Sequence, residues 1–365
     1  MRVGIITYHF AQNYGSVLQC FALQEYLENM GYTVKIINFV SDKQEINNSL
    51  SNGLKGKIRN IVFFPINNKR KSKYDKFLDF RKKFLKETEK VSINSKLKKL
   101  IETEQFDFLI SGSDQVFNPN INDFDYAFLF PFKTQAKKIA YAASLGNAKS
   151  TELNKLKKYI LDFQEISLRE SGDQDIFQKT IGVSPKIVCD PVFLIRKQKW
   201  EEIIKSMKVN YNTNDKYLLC YFIHKKYMNK SIGIAKKIAK QRNLKIRFIN
   251  AGYNRNSFNK KSIVDCGPED FLVLLKNADF VCTDSFHGTS FSTILNKDFL
   301  CFDTKRNVTD FRRRDLLHKL DLDKQYVLVE NFNYDIDNID FMRLNNLIEK
   351  YSDESKKILD LSREN

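Results

Sequence analysis

The stretch with the most chemistry is Ala278 to Thr293, ADFVCTDSFHGTSFST. An apolar run, Phe280-Val281-Cys282, is short enough for a buried strand. It breaks at Asp284-Ser285 and resumes at helical spacing with Phe291, Ile294 and Leu295. A strand that turns into a helix through small polar residues leaves backbone N–H groups free at the positive end of the helix dipole. Such a turn attracts an anion, so Ser285, His287, Gly288 and Thr289 are candidates to hold one. A histidine placed there can also exchange a proton near neutral pH. Asp284 could orient that ring, although an aspartate at this point also stabilises turns.

Other candidates stand where strands end. Arg169 closes the run Ile166 to Arg169, and an arginine fork matches a carboxylate or phosphate. Asp114 follows Gly112-Ser113 and is a candidate base for a hydroxyl group, or else an Asx turn. Asn13, Tyr14 and Gly15 in the first loop, with Ser113 and Gln115, are candidates to hold a sugar. Arg306, Arg312, Arg313 and Arg314 follow the strand ending at Asp303; three adjacent arginines cannot all point at one site.

The elements that must position these residues alternate. Val3 to Thr7 reads as a strand, Ser16 to Met30 as a helix stopped by Gly31, and Val34 to Phe39 as the next strand. Strands follow over Phe106 to Ser111, Lys138 to Ser144, Ile166 to Arg169 and Lys186 to Cys189. From about Trp200 the alternation restarts, with strands over Tyr217 to Ile223, Leu244 to Asn250, Phe280 to Thr283 and Phe299 to Phe302. Helices cover Lys230 to Gln241, Pro268 to Asn277 and Arg314 to Leu320, and Phe341 to Glu364 is helical and polar on one face. Repeated β-α-β units predict an α/β fold with two Rossmann-like domains facing a cleft. The expected divisions are 1–195, 196–340 and a C-terminal helix, 341–365, packing back on the first domain. Ligands of open α/β sheets bind at the carboxyl ends of the strands. The first loop is not G-x-G-x-x-G, so no dinucleotide site is read there.

At 365 residues, 42% hydrophobic and 29% charged, the chain can bury two ordinary cores. No apolar run approaches the ~20 residues that span a bilayer, and MRVGIITYHF reads as a strand rather than a signal peptide, so a cytoplasmic protein is expected. Cys189, Cys220, Cys282 and Cys301 lie in apolar runs and read as buried thiols. Four dispersed histidines, His9, His224, His287 and His318, give no metal spacing. The net charge of +17 is uneven: Lys55 to Lys99 holds 16 Lys or Arg against four acids. Phe77, Phe80 and Phe84 recur there at helical spacing, as for a packed helix. The segment carries no nucleic-acid signature and none is expected as partner; an anionic membrane surface at the inner membrane face suits it, as does a plain solvated face.

Six segments together resemble the polysaccharide pyruvyl transferase family. They are GIITYHFAQNYGSVLQCFALQEYL (Gly4 to Leu27), FDFLISGSDQVFNP (Phe106 to Pro119), KIAYAASLG (Lys138 to Gly146), ISLRESG (Ile166 to Gly172), VCDPVFL (Val188 to Leu194) and TDSFHGTSFS (Thr283 to Ser292). The resemblance implies a GT-B-like fold and transfer of an enolpyruvyl unit from phosphoenolpyruvate to two hydroxyls of a sugar. The acceptor would belong to a cell-surface polysaccharide or its lipid-linked precursor, with no further cofactor. It assigns donor binding to Arg169 and matches His287 to the histidine of the family's R-L-H-G or S-F-H-G turn. The chemistry of such a donor makes His287 a candidate phosphate binder and general acid. Asp114 would then act as base or stabiliser. The chain has Ser285 where the R-L-H-G form of the turn has arginine; either Arg306 or a nearby lysine replaces that anchor, or the donor differs. A GT-B glycosyltransferase using a nucleotide sugar, and a non-catalytic sugar- or acid-binding homologue, stay open as alternatives.

Overall fold

The structure, a computed structural model, describes residues 1–41, 67–212, 214–251, 262–304, 311–332 and 336–364. Two parallel sheets are built from apolar runs buried on both faces, the pattern parallel strands require. The first runs in the order β2-β1-β3-β4-β5-β6. Its strands are β1 (Arg2–Ile6), β2 (Thr33–Ile36), β3 (Phe108–Ser111), β4 (Lys137–Ala143), β5 (Glu165–Leu168) and β6 (Lys186–Ile187). The second runs β12-β11-β10-β7-β8-β9. It comprises β7 (Tyr217–Phe222), β8 (Lys245–Asn250), β9 (Ser262–Ile263), β10 (Phe280–Thr283), β11 (Phe299–Asp303) and β12 (Tyr326–Leu328). In each sheet the strand order reverses once, between β1 and β3 and between β7 and β10, giving two crevices at strand carboxyl ends.

The helices are α1 (Tyr14–Asn29), α2 (Asn67–Phe84), α3 (Asn94–Glu104), α4 (Ser150–Ile160), α5 (Gln174–Ile181), α6 (Lys197–Lys205), α7 (Met228–Gln241), α8 (Pro268–Lys276), α9 (Phe286–Ile294), α10 (Arg312–Lys319) and α11 (Phe341–Lys356). The strands of the sequence reading are found to within a few residues. The short β9 and β12 and the helices α3, α4 and α6 were not read. β9 and β12 hold too few residues for a period to show.

α1 is apolar on nearly every side because it lies between the two halves. Its Tyr14 stacks on Phe271 of α8 at 4.7 Å, and Phe21 meets Trp200 of α6 at 5.8 Å. Trp200 in turn meets Phe291 of α9 at 5.0 Å. One core cluster therefore spans both sheets, while separate clusters fill their outer faces. α11 returns to the first half: Ser355 accepts from the Cys189 amide at 2.8 Å, and Tyr32 accepts from the Leu361 amide at 3.1 Å. All six cysteines are buried and unpaired.

The described part of the basic segment, α2, straps the halves together. Lys76 pairs with Asp270 at 2.8 Å and Lys83 with Glu269 at 2.6 Å, both on α8. Lys73 is buried over the Tyr14 ring and donates to the carbonyls of Asn250 and Ala251. The charges of the segment divide: Arg70 and Lys73 point inward, while Lys69 and Lys71 stay exposed. Residues 55–66 of that segment lie outside the described residues. Among the described residues no helix is long and apolar enough to cross a membrane.

Candidate functional site

The loops after β1, β3, β5 and β6 meet the start of α9 from the second half. Asn13 caps α1 by accepting from the Gly15 amide at 2.9 Å. Gly15 is the contact point: a Cβ built on it would lie 1.9 Å from His287 Nδ1. Only a glycine lets the His287 ring rest on the first turn of α1. On the ring's other side, His287 Nε2 stands 3.3 Å from Asp190 Oδ2 without the alignment of a hydrogen bond.

Asp190 is fully buried and doubly held. Its Oδ1 accepts from the Val192 amide at 3.2 Å, and Oδ2 accepts from Arg169 Nη1 at 2.8 Å. Burial alone would raise its pKa, but His287 and Arg169 prevail and hold the carboxyl down at about 2. Arg169 also donates Nε to Glu170 Oε1 at 2.7 Å and lies under the Phe286 ring at 4.8 Å. Two atoms of this network, Arg169 Nη2 and Glu170 Oε2, are buried and make no hydrogen bond. Such orphans in a native interior point to a ligand or water partner.

Asp114 sits at the crevice between β1 and β3. Its backbone is left-handed, φ 80°, a conformation that non-glycine residues adopt at a cost. Its Oδ2 accepts from the Ser16 hydroxyl at 2.7 Å, and its Oδ1 from the Gln115 amide at 2.9 Å. Ser113 is buried, donating to the Ala142 carbonyl at 2.9 Å and standing 3.5 Å from Arg169 Nη1. Gln115 lines a cavity and accepts from Asn118 at 2.7 Å. The sheet is bulged beside them, where the register of β4 and β5 shifts between Ala140 and Ala143.

Several expectations are corrected. Asp284 does not orient His287: both its oxygens accept backbone N–H groups, from Ile223 at 2.6 Å and His224 at 3.0 Å. The carboxylate facing His287 is Asp190, the residue directly after the apolar run that ends at Cys189. Tyr14 is not placed to hold a sugar, because its ring is in the interdomain core and its hydroxyl donates to the Cys266 carbonyl at 2.9 Å. The start of α9 is less open to an anion than its sequence suggests. Ser285 accepts from the Gly288 amide at 3.3 Å, and the buried Thr289 hydroxyl donates to the Ser285 carbonyl at 3.0 Å. Serine is a strong helix cap, and here it takes a donor an anion would use. Gly288 is required by packing, since a Cβ there would lie 2.4 Å from Thr283 Oγ1.

Arg313 turns inward to Asp303 at 2.7 Å and to the Phe302 and Asp284 carbonyls. Arg312 faces the cavity lined by Gln115. Arg306 lies outside the described residues. No cluster of His, Cys, Asp or Glu able to hold a metal occurs among the described residues.

The fold is similar to that of UDP-GlcNAc 2-epimerase from Methanocaldococcus jannaschii, with a TM-score of 0.54, 14% identity and full coverage of both chains. It is also similar to UDP-GlcNAc 2-epimerase from Neisseria meningitidis, TM-score 0.53 and 11% identity, covering 99% of this chain and 94% of that one. A third, a UDP-N-acetylglucosamine 2-epimerase described as putative, from Listeria monocytogenes, gives 0.52 and 11% with 100% and 89% covered. These likenesses establish a GT-B-type α/β fold. A comparison with curated proteins returns no match. The sequence model described as polysaccharide pyruvyl transferase matches residues 13–306, from the cap of α1 past β11, and so covers Arg169, Asp190 and His287. The chain belongs to the polysaccharide pyruvyl transferase family.

Proposed function

We propose that the protein transfers the enolpyruvyl unit of phosphoenolpyruvate to two hydroxyls of a saccharide, forming a pyruvate ketal and releasing phosphate. The carrying observation is the Arg169–Asp190–His287 contact series, which joins both halves at the strand carboxyl ends. The donor has a carboxylate and a phosphate. The unbonded Nη2 of Arg169 and the ring nitrogens of His287 are the groups offered to them.

The reaction needs a proton delivered to the methylene carbon while a sugar oxygen bonds to the enol carbon. A second hydroxyl then displaces phosphate at the same carbon. His287 supports the proton delivery, and Asp190, ionised at neutral pH, fixes the ring. Asp114 supports the role of base or of electrostatic stabiliser at the developing oxocarbenium centre. The acceptor reading follows the family: a glycan of the cell surface or its lipid-linked precursor, met at the inner membrane face.

The test is phosphate release from phosphoenolpyruvate with and without galactose-, mannose- and N-acetylhexosamine-bearing acceptors, with product mass. Acceptor-dependent release with the mass gain of a ketal supports the reading. No release, with thermal stabilisation by a nucleotide sugar and none by phosphoenolpyruvate, would replace it with glycosyl transfer.

A further inference from the structure

A cavity of about 310 Å³ opens beside the charged network, between the loops after β3, β4 and β5 and the start of α10. Three kinds of group meet in it. Amides come from Gln115, Asn118 and Asn147, carboxyls from Glu170 and Asp173, and an aromatic ring from Phe311 of the opposite half. Phe311 is 47% exposed, high for a large apolar side chain. Glu170, only 4% exposed, keeps an oxygen without a hydrogen bond, although it lines this cavity.

We propose that this cavity is the saccharide subsite: it takes one pyranose unit, with Phe311 against the ring's C–H face and Glu170 and Asp173 on its hydroxyls. The volume is at the lower end of small-molecule sites, as one sugar ring requires. Planar amides with both donors and acceptors match vicinal hydroxyls, which are both as well. The orphan Glu170 oxygen needs a donor, and a hydroxyl supplies one. An anionic ligand fits poorly, since two carboxyls, Glu170 and Asp173, line the cavity with one arginine, Arg312.

Asp173 strengthens the assignment. Burial, and then the charge of Glu170, push its carboxyl up to about 7, so near neutral pH it can accept a hydroxyl proton or return one. The inner wall of the cavity, Glu170, is the same residue that holds Arg169 at 2.7 Å. A sugar seated there is therefore one side chain away from the arginine assigned to the donor.

This inference rests on the transferase reading for its acceptor role, but its test does not. Saturation-transfer NMR would be recorded with methyl β-galactoside, methyl α-mannoside and methyl N-acetyl-β-glucosaminide, without phosphoenolpyruvate. At least one glycoside should receive saturation from the wild-type protein. The signal should fall at least 5-fold in Phe311→Ala and in Asn147→Ala and persist in His287→Ala. Gly172→Leu fills the space without removing a polar group. A Cβ at Gly172 meets only Phe311, at 3.7 Å, so the fold should survive, as a melting curve checks. Loss of the signal in this variant supports the site. Absence of saturation for all three glycosides, or an unchanged signal in Phe311→Ala, Asn147→Ala and Gly172→Leu, would overturn the assignment. Glycoside binding without phosphoenolpyruvate turnover would leave the subsite standing and remove the donor reading alone.

Discussion

Each half of the molecule has a point where its strand order reverses, and an aspartate stands at both. Between β7 and β10, Asp284 is fully buried and spends both oxygens on backbone amides. Its neighbour Asp303 is likewise saturated, by Thr304, Arg313 and Tyr326. Between β1 and β3, Asp114 is half-buried, left-handed, and bound to a serine hydroxyl and one amide. Around it stand Arg169, Glu170, Asp173 and Asp190, a concentration of charge with two unbonded atoms. Asp284 is committed to the backbone of its own crevice, whereas Asp114 accepts from one side-chain hydroxyl and one amide. The C-terminal half contributes His287, which rests on Gly15 and faces Asp190 of the N-terminal half.

The contrast is broken most directly at Arg169. Arg169→Ala would leave Glu170 and Asp190 buried without their cation, and should cost about 3–5 kcal/mol, measured by urea unfolding. If the loss were below about 1 kcal/mol, comparable to a surface ion pair, the network would not be the buried unit described. Asp284→Asn should cost about 1–3 kcal/mol by presenting an N–H₂ group to two amide donors, yet retain turnover. Asp114→Asn should reverse that pattern, with little change in stability and turnover reduced about 100-fold. Equal effects in the two variants would erase the distinction between the crevices.

Two buried groups make the pH dependence separable. His9 is fully buried, and desolvation, then Arg81, lowers its pKa to about 4. Glu87 Oε1 stands 3.6 Å away but is bound to Arg81 at 2.7 Å, so burial prevails over that attraction. The unfolded histidine binds its proton at about 6.5. Its contribution is therefore complete above about pH 6.5 and lost as pH falls toward 4, a decline of about 3 kcal/mol. Asp190 loses its contribution only lower, from the unfolded value near 3.9 down through about 2. Between pH 7 and 4 the raised Asp173 carboxyl contributes stability as pH falls and opposes this decline. The His9 slope should therefore appear in the difference between wild type and His9→Gln, and not in the difference between wild type and Asp190→Asn. The smallest effect is expected of Tyr14→Phe, which removes one hydrogen bond to Cys266. About 1 kcal/mol should be lost by thermal melting with turnover unchanged, as for a core residue rather than a sugar contact.

Much of the fold was legible because strands buried on both faces read as unbroken apolar runs, and because Gly31 and Pro268 mark helix boundaries. The six motif segments also place Asp114, Arg169 and His287 at strand ends. What the sequence could not supply was pairing between halves. That Gly15 receives the His287 ring, and that Asp190 rather than the adjacent Asp284 faces it, depends on how α1 docks against α9. A local rule pointed the other way: the Asp284-Ser285 turn has the form of a ligand loop, but its serine caps its own helix. In the basic run the sign was present: Lys73 and Arg70 stand four and seven residues before Phe77, on the helical face that Phe77 and Phe80 bury.

The central claim is that His287, set by Asp190 from the other half, carries the proton in a phosphoenolpyruvate-dependent transfer. The direct measurement is acceptor-dependent phosphate release by wild type, His287→Ala and Asp190→Asn at one saturating acceptor concentration. The account predicts release by wild type, a loss of about 100-fold or more in His287→Ala, and a smaller but clear loss in Asp190→Asn. Near-normal release by His287→Ala would contradict it.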